Sequence, residues 1–350
     1  MPRSTARASL ALFLTLPLGY AAAQNAPIRV FVLAGQSNME GKAQNILWDH
    51  QATAAKTRAF FAPFRDAANQ RWIERDDVLI KFFERRGPLT LGFGSKGRTG
   101  LEYALGLRLG DRFQQPVLLI KTAWGGRSIR KDFRPPSSAL PSDDVLEKEL
   151  AAAAERTAKN NKKRKRSDAA PTRADIEAGY GRDYRLMIEE VLKTLQDAGE
   201  LFPSLKGRRA ELAGFVWFQG WNDQYGGAEA EYEQHLRNFI GDVRRDLHAP
   251  ELPFVIGVMG QNGSTAAKGA MLTIQRAQMN VADLARVTAV RTDALEDRAA
   301  AALYPQWKQR SEEWECTGSD HRYHYLGSAI WFSRIGFACG DALIQMLDAK

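Results

Sequence analysis

The chain has 350 residues, of which 44% are hydrophobic and 26% are charged, and its formal net charge is +8. This composition is ordinary for a globular protein, and the length allows one or two domains. After the N-terminal region, no segment has the roughly 18 consecutive apolar residues that a membrane-spanning helix needs.

The first 23 residues have the pattern of a signal peptide. Arg3 and Arg7 precede a short apolar run from Leu10 to Leu18, and the small residues 21–23 fit a cleavage site. We therefore expect cleavage near Ala23 and an exported mature protein, periplasmic or secreted, with residues 24–350 as one domain.

Apolar runs alternate with helical patterns along the rest of the chain. Strands are predicted at 28–33, 117–120, 214–218, 254–258 and 287–290. Helices are predicted at 101–113, 184–198, 232–247, 271–284 and 327–347. This alternation predicts a five-stranded parallel sheet with helices on both faces and all strand carboxyl ends on one edge. Residues 44–90 and 132–182 do not fit the alternation and are predicted to be insertions.

Two segments raise the question of nucleic-acid or nucleotide binding. Residues 159–166 contain six basic residues in eight, but no aromatic residues for base stacking. Residues 92–97 match G-x-G-x-x-G, but they do not follow the first strand as a dinucleotide site requires. We expect the first segment to be a solvated part of an insertion, and we expect no nucleic-acid partner.

The first predicted strand runs into Gly35-Gln36-Ser37-Asn38. Ligands bind at the carboxyl ends of the strands in an open parallel sheet, so Ser37 is a candidate nucleophile. The alternative is that Ser37 only caps the following turn.

Three further segments extend this pattern: residues 121–126 (KTAWGG), residues 215–223 (FVWFQGWND), and His324-Tyr325. With the first segment, they resemble the SGNH hydrolases, specifically the sialate O-acetylesterase-like carbohydrate esterases, over residues 27 to 348. The resemblance implies a three-layer α/β/α, flavodoxin-like fold and a serine esterase that needs no metal or organic cofactor. Ser37 would be the nucleophile and His324 the base. The oxyanion hole would comprise Ser37, Gly125 or Gly126, and Asn222.

The acid of the triad is open at this stage. Many SGNH enzymes have Asp three residues before the base, but His321 occupies that position here, and Asp320 lies one residue further back. Asp320 is the preferred acid because it shares a loop with His324, and Asp223 is the alternative. His321 is likewise the alternative base.

The expected substrate is an acetylated carbohydrate. Candidate substrate-binding residues are Gln36, Trp124, Arg127, Gln219 and Trp221. The rival function is a non-catalytic carbohydrate-binding or scaffold protein on the same fold, because a fold does not fix a function. Cys316 and Cys339 flank His324 in sequence and are either disulfide-bonded or separate thiols. The sequence does not indicate the oligomeric state.

Overall fold

The computed structural model describes residues 26–68 and 70–349. The predicted signal peptide, residues 1–23, lies outside the described residues.

Nine strands are present in the described part of the chain, and seven of them form one sheet in the order β4-β3-β6-β1-β7-β8-β9. All neighbours in this sheet are parallel except β3 and β4. The strands are β1 (Ile28–Gly35), β2 (Ala43–Gln44), β3 (Arg75–Phe82), β4 (Arg85–Leu89), β5 (Arg98–Thr99), β6 (Val117–Ala123), β7 (Ala210–Phe218), β8 (Phe254–Val258) and β9 (Val287–Arg291). The short strands β2 and β5 pair with each other outside the large sheet.

The five predicted strands are β1, β6, β7, β8 and β9, and their spatial order is 2-1-3-4-5, as in flavodoxin-like sheets. The prediction of five strands was wrong, because β3 and β4 extend the sheet to seven. Both come from residues 44–90, which were predicted to be an insertion. Their charged residues, Arg75 to Asp77 and Arg85-Arg86, obscure the strand pattern. Such charges suit the edge of a sheet, where β4 lies.

The described residues also form thirteen α-helices. They are α1 (Ser37–Glu40), α2 (Asn45–Thr53), α3 (Arg58–Phe61), α4 (Glu102–Arg112), α5 (Asp143–Arg164), α6 (Arg173–Gly179), α7 (Arg182–Gln196), α8 (Ala198–Leu201), α9 (Tyr232–Asp246), α10 (Gly269–Asn280), α11 (Arg298–Leu303), α12 (Ser311–Glu315) and α13 (Ala329–Asp348). Short 3₁₀ turns connect several of them, including Trp221–Gln224 and Arg322–Gly327.

Successive residues of β1 point to opposite faces of the sheet, as strand geometry requires. Phe31 and Leu33 belong to the core that α4 and α13 cover. Val30 and Val32 belong to a second core, which α7, α9 and α10 cover. The molecule therefore has three layers, with the sheet in the middle.

Residues 132–182 hold the helices α5 and α6, which pack together through a small apolar cluster of Leu146, Ile176 and Tyr180. The basic residues of 159–166 lie on the last turns of α5 and just beyond it, exposed to solvent. This segment is thus a helical projection with its own small core.

Among the residues that the structure describes, no helix combines the length and apolar character needed to cross a bilayer.

The two cysteines are separate thiols. Cys316 is partly buried and Cys339 is fully buried, and neither forms a disulfide. Burial raises the pKa of the Cys339 thiol to about 12.

A buried ion pair joins the sheet to the loops at its carboxyl edge. Lys121 on β6 is fully buried, and its ammonium lies 2.9 Å from a carboxylate oxygen of Glu102. The same ammonium donates to the carbonyl oxygens of Glu40 at 2.9 Å and Phe93 at 2.8 Å. All three of its donors are therefore satisfied.

Replacing Lys121 by Met should lower the free energy of unfolding by about 3–5 kcal/mol, because Glu102 would remain buried without its partner. The control is Lys159→Met, which removes an exposed pair with Glu155 and should cost at most about 1 kcal/mol. Urea unfolding of both variants measures this difference. Equal effects for the two variants would contradict the role assigned to Lys121.

Candidate active site

Ser37 is positioned by the turn between β1 and α1. A Cβ on Gly35 would lie 2.2 Å from the carbonyl oxygen of Phe218 on β7, so only glycine fits there. Ser37 is the first residue of α1 and is 8% exposed. Because β1 lies between β6 and β7, Ser37 projects at the centre of the carboxyl edge of the sheet.

The predicted nucleophile and base are in contact. Oγ of Ser37 lies 3.1 Å from Nε2 of His324. A second link joins their neighbours, because the side-chain amide of Asn38 donates to the carbonyl oxygen of Tyr323 at 3.1 Å. Residues 37–38 and residues 323–324 are thus connected by two hydrogen bonds, although they lie 287 and 285 positions apart in sequence.

The loop that carries His324 is strained. Tyr325 and Leu326 follow it with φ values of 52° and 61°, a conformation that costs non-glycine residues about 1–3 kcal/mol each. Buried contacts hold both residues there. The Tyr325 hydroxyl accepts from the N–H of Gly260 at 2.9 Å and lies 2.8 Å from Oγ1 of Thr292. The carbonyl oxygen of Leu326 accepts from the N–H groups of Ser319 and Asp320.

Asp320 is the carboxylate that contacts His324. Its Oδ2 lies 3.2 Å from Nδ1 of His324, but Nδ1 does not meet the alignment of a regular hydrogen bond. Arg98 binds the same oxygen, and the backbone N–H of His321 donates to Oδ1 at 2.7 Å. Burial by itself would raise the pKa of Asp320, but the contacts with His324, the His321 N–H and Arg98 outweigh it and lower the pKa to about 2.

The alternative acid and base have other partners. Asp223 is fully buried and accepts from the N–H groups of Ile129 and Arg130, both at 3.0 Å, and from the Gln219 amide at 2.5 Å. It therefore fastens the loop after β6. His321 is exposed, and its Nδ1 lies 3.2 Å from the Tyr304 hydroxyl. The geometry thus favours the pair Asp320 and His324.

Asn222 is held by Gln36. The Gln36 amide nitrogen donates to Oδ1 of Asn222 at 2.8 Å, while Oε1 of Gln36 accepts from the N–H groups of Gly220 and Asn222. This leaves the Nδ2 group of Asn222 to donate elsewhere. Gln36, a predicted substrate-binding residue, is 1% exposed, and its side-chain amide is hydrogen-bonded to Asn222.

The backbone N–H of Gly125 is already engaged, since it donates to Oε1 of Glu40 at 2.7 Å. The other oxygen of Glu40 contacts the Lys42 ammonium at 2.5 Å and Oγ of Ser95 at 3.1 Å. Gly125 therefore does not present a free donor for an oxyanion in this conformation. Of the two glycines left open by the sequence, Gly126 is the better candidate.

The other predicted substrate-binding residues divide into buried and accessible ones. Gln219 is 3% exposed and donates to Asp223 and to the carbonyl oxygen of Arg127. The guanidinium of Arg127 lies 2.9 Å from the carboxylate of Asp183 and 3.4 Å from that of Asp132, so its charge is already paired.

The two predicted aromatic contacts are partly accessible. Trp124 is partly buried and packs on Phe83 and Phe133. Trp221 is partly exposed, with its ring centre 6.0 Å from that of Tyr323.

Sequence reasoning missed two contributors, Glu40 and Arg98. Glu40 follows Ser37 by three residues and so lies on the same helical turn, which was a usable signal. Arg98 follows the glycine-rich segment that was set aside as a nucleotide motif, and nothing in the sequence links it to Asp320.

A protein-family model matches residues 27–163 and 174–303, well over half of the chain, and describes a carbohydrate esterase, the sialic acid-specific acetylesterase. No curated protein matches the chain in sequence.

Solved structures resemble the chain at low sequence identity. The X-ray structure of the protein AT4G34215 from Arabidopsis thaliana has a TM-score of 0.52 and 14% identity, covering 91% of this chain and 99% of that one. This likeness concerns the fold alone. XAC1771, a carbohydrate acetylesterase from Xanthomonas citri, has a TM-score of 0.44 and 13% identity, with coverage of 77% and 50%. NanS has a TM-score of 0.41 and 15% identity, with coverage of 76% and 78%.

Asp320 and Asp223 should affect stability with opposite dependence on pH. The pKa of Asp320 is lowered to about 2, so its stabilisation is present above pH 4 and is lost as the pH falls towards 2. Burial raises the pKa of Asp223 to about 6, so its ionisation penalises the folded state progressively from pH 4 to above 6.

Urea unfolding of Asp320→Asn, Asp223→Asn and the parent protein between pH 2 and 7 measures both effects. The advantage of the parent over Asp320→Asn should shrink on acidification. The advantage of the parent over Asp223→Asn should shrink as the pH rises through 4–6. The same pH dependence for both variants would contradict this assignment.

Proposed function

Because the chain belongs to the sialic acid-specific acetylesterase family of carbohydrate esterases, we propose that it removes O-acetyl groups from sugars through an acetyl-Ser37 intermediate, on an SGNH-type hydrolase site. The observation that carries the mechanism is the contact between Ser37 Oγ and His324 Nε2 at 3.1 Å, with Asp320 on the other imidazole nitrogen. From the pattern of residues 3–23, we also propose that the protein is exported.

In the first half of the reaction, Ser37 Oγ attacks the carbonyl carbon of the acetyl ester while its proton passes to Nε2 of His324. Asp320, ionised above pH about 2, stabilises the imidazolium that forms. The tetrahedral intermediate then collapses. The bond to the sugar oxygen breaks, and His324 gives its proton to that leaving oxygen.

In the second half, a water molecule gives a proton to His324 and attacks the acetyl-serine carbonyl. Collapse of this second intermediate releases acetate, and His324 returns a proton to Ser37 Oγ. The reaction consumes one water and leaves the sugar hydroxyl and acetic acid, which releases its proton to solvent as acetate.

The negative oxygen of both intermediates needs preorganised donors. Ser37 supplies its own N–H in the first turn of α1, where N–H groups lack acceptors within the helix. Asn222 supplies its Nδ2 group, since Gln36 occupies its oxygen. The third donor is the N–H of Gly126 rather than that of Gly125, because Gly125 is bound to Glu40.

Ser37→Ala and His324→Ala should each lower kcat for p-nitrophenyl acetate by roughly 10⁴-fold or more, because nucleophile and base act as a unit. His321→Ala is the matched control and should retain activity, because His321 contacts Tyr304 rather than Ser37.

Esterase assays on the mature protein, with folding checked by thermal melts, measure these effects. A dead His321→Ala beside an active His324→Ala would overturn the assignment of the base. Absence of hydrolysis by the parent protein on p-nitrophenyl acetate and on a panel of acetylated sugars would favour the non-catalytic carbohydrate-binding alternative.

Asn222→Ala should lower kcat by about 10²–10³-fold with little change in KM, because the donor acts mainly in the transition state. Gln36→Ala should lower kcat in the same direction by releasing the Asn222 amide. In an Asn222→Ala background, Gln36→Ala should have little further effect on kcat. A change confined to KM would contradict the oxyanion role, and fully additive losses would contradict positioning through Asn222.

A further inference from the structure

A cavity of about 250 Å³ lies beside the loop that carries His324. Asp320 and His321 form part of its wall, together with Arg98 and the aromatic residues Tyr304, Trp307 and Trp314. The family match ends at residue 303, so all of these except Arg98 come from a part of the chain outside that match.

The aromatic rings form a continuous row from this cavity to the catalytic base. Trp307 contacts His321 edge to face, with ring centres 5.6 Å apart. His321 stacks on Tyr323 at 5.2 Å, and the Tyr323 ring lies 4.5 Å from that of His324. Tyr323 also faces Trp221 at 6.0 Å. Tyr323 is 39% exposed, so the row is accessible to a ligand at its middle.

The charges that line the cavity are paired. Arg98 and Asp320 bind each other, so the wall presents a cation and an anion side by side. An anionic ligand would meet Asp320, and a purely apolar ligand would bury these charged groups without hydrogen-bonding partners. A neutral ligand with hydroxyl groups and flat apolar faces suits both the paired charges and the rings.

We propose that this cavity binds a neutral sugar unit next to the acetylated one, so that the substrate is an oligosaccharide or polysaccharide rather than a single sugar. The inference rests on the proposed function, which identifies the adjoining loop as catalytic. A pyranose ring has apolar C–H faces for Trp307 and equatorial hydroxyls for Arg98 and His321. The Lys308 ammonium lies 5.4 Å from the centre of the Trp307 ring, on an exposed and flexible side chain that a sugar can displace.

Binding tests the cavity independently of catalysis. Calorimetry on the Ser37→Ala protein would use neutral tetrasaccharides built from xylose, glucose, mannose or galactose, beside the monosaccharides and one sialylated tetrasaccharide. At least one neutral tetrasaccharide should bind more tightly than its monosaccharide. Adding Trp307→Ala should weaken that binding roughly tenfold, the effect of truncating an aromatic contact residue, while Trp307→Phe should retain most of it. If Trp307→Ala does not fold, the exposed His321→Ala replaces it.

Kinetics supplies the second readout. With Ser37 intact, Trp307→Ala should lower kcat/KM for an acetylated tetrasaccharide roughly tenfold and leave p-nitrophenyl acetate hydrolysis unchanged. The proposal is overturned if no neutral tetrasaccharide binds, if Trp307→Ala leaves binding unaltered, or if only the sialylated one binds. Sugar binding without hydrolysis of any ester would instead overturn the proposed function and leave the sugar site standing.

Discussion

The arrangement of the site depends on one buried cation. Lys121 lies inside the central sheet with no exposed surface, where an unpaired ammonium would be strongly destabilising. Its three contacts satisfy it and at the same time fix three separate segments. Glu102 begins α4, the carbonyl of Glu40 ends α1, and the carbonyl of Phe93 belongs to the glycine-rich loop. Burial lowers the pKa of Lys121, and Glu102 opposes that shift.

This constraint extends to the chemistry through α1. Ser37 begins that one-turn helix and Glu40 ends it, so fixing the Glu40 carbonyl restricts where Ser37 can lie. The Glu40 side chain then binds Gly125 and Ser95, which brings the loop after β6 and the glycine-rich loop against the same helix. The glycine-rich loop, the start of α4 and the loop after β6 are thereby held around α1, the helix that begins with Ser37.

Arg98 adds an electrostatic constraint at Asp320, the acid of the proposed triad. It shares Oδ2 of Asp320 with His324, so it keeps the carboxylate ionised but also competes for it. A carboxylate shared in this way stabilises the imidazolium less than one devoted to His324 would. Arg98 also donates to the carbonyl oxygen of Lys42, so it connects Asp320 to the segment that follows Ser37.

Much of this fold could be predicted because buried strands have a local signature. The apolar runs that became β1, β6, β7, β8 and β9 are visible without any tertiary information. The edge strands β3 and β4 were missed because their charged residues break that signature.

The sequence predicted that Gly35-Gln36-Ser37-Asn38 lies at the carboxyl edge of the sheet, but it did not predict which of these side chains are exposed to solvent. The predicted substrate-binding residues Gln36 and Gln219 are both buried, because their hydrogen-bonding partners come from distant segments. The Arg98 contact with Asp320 spans 222 residues and depends on the paired strands β2 and β5, which the sequence pattern did not indicate.

The central claim is that catalysis passes through an acetyl group on Ser37. Rapid acid quench during turnover of an acetylated sugar, followed by peptide mass spectrometry, tests it most directly. The account predicts an acetyl adduct on the peptide that contains Ser37, absent before substrate is added. The adduct should accumulate further in Asp320→Asn if that substitution slows hydrolysis of the acetyl-serine more than it slows acetylation of Ser37. Turnover without any adduct on Ser37, or with an adduct on another residue, would contradict the account.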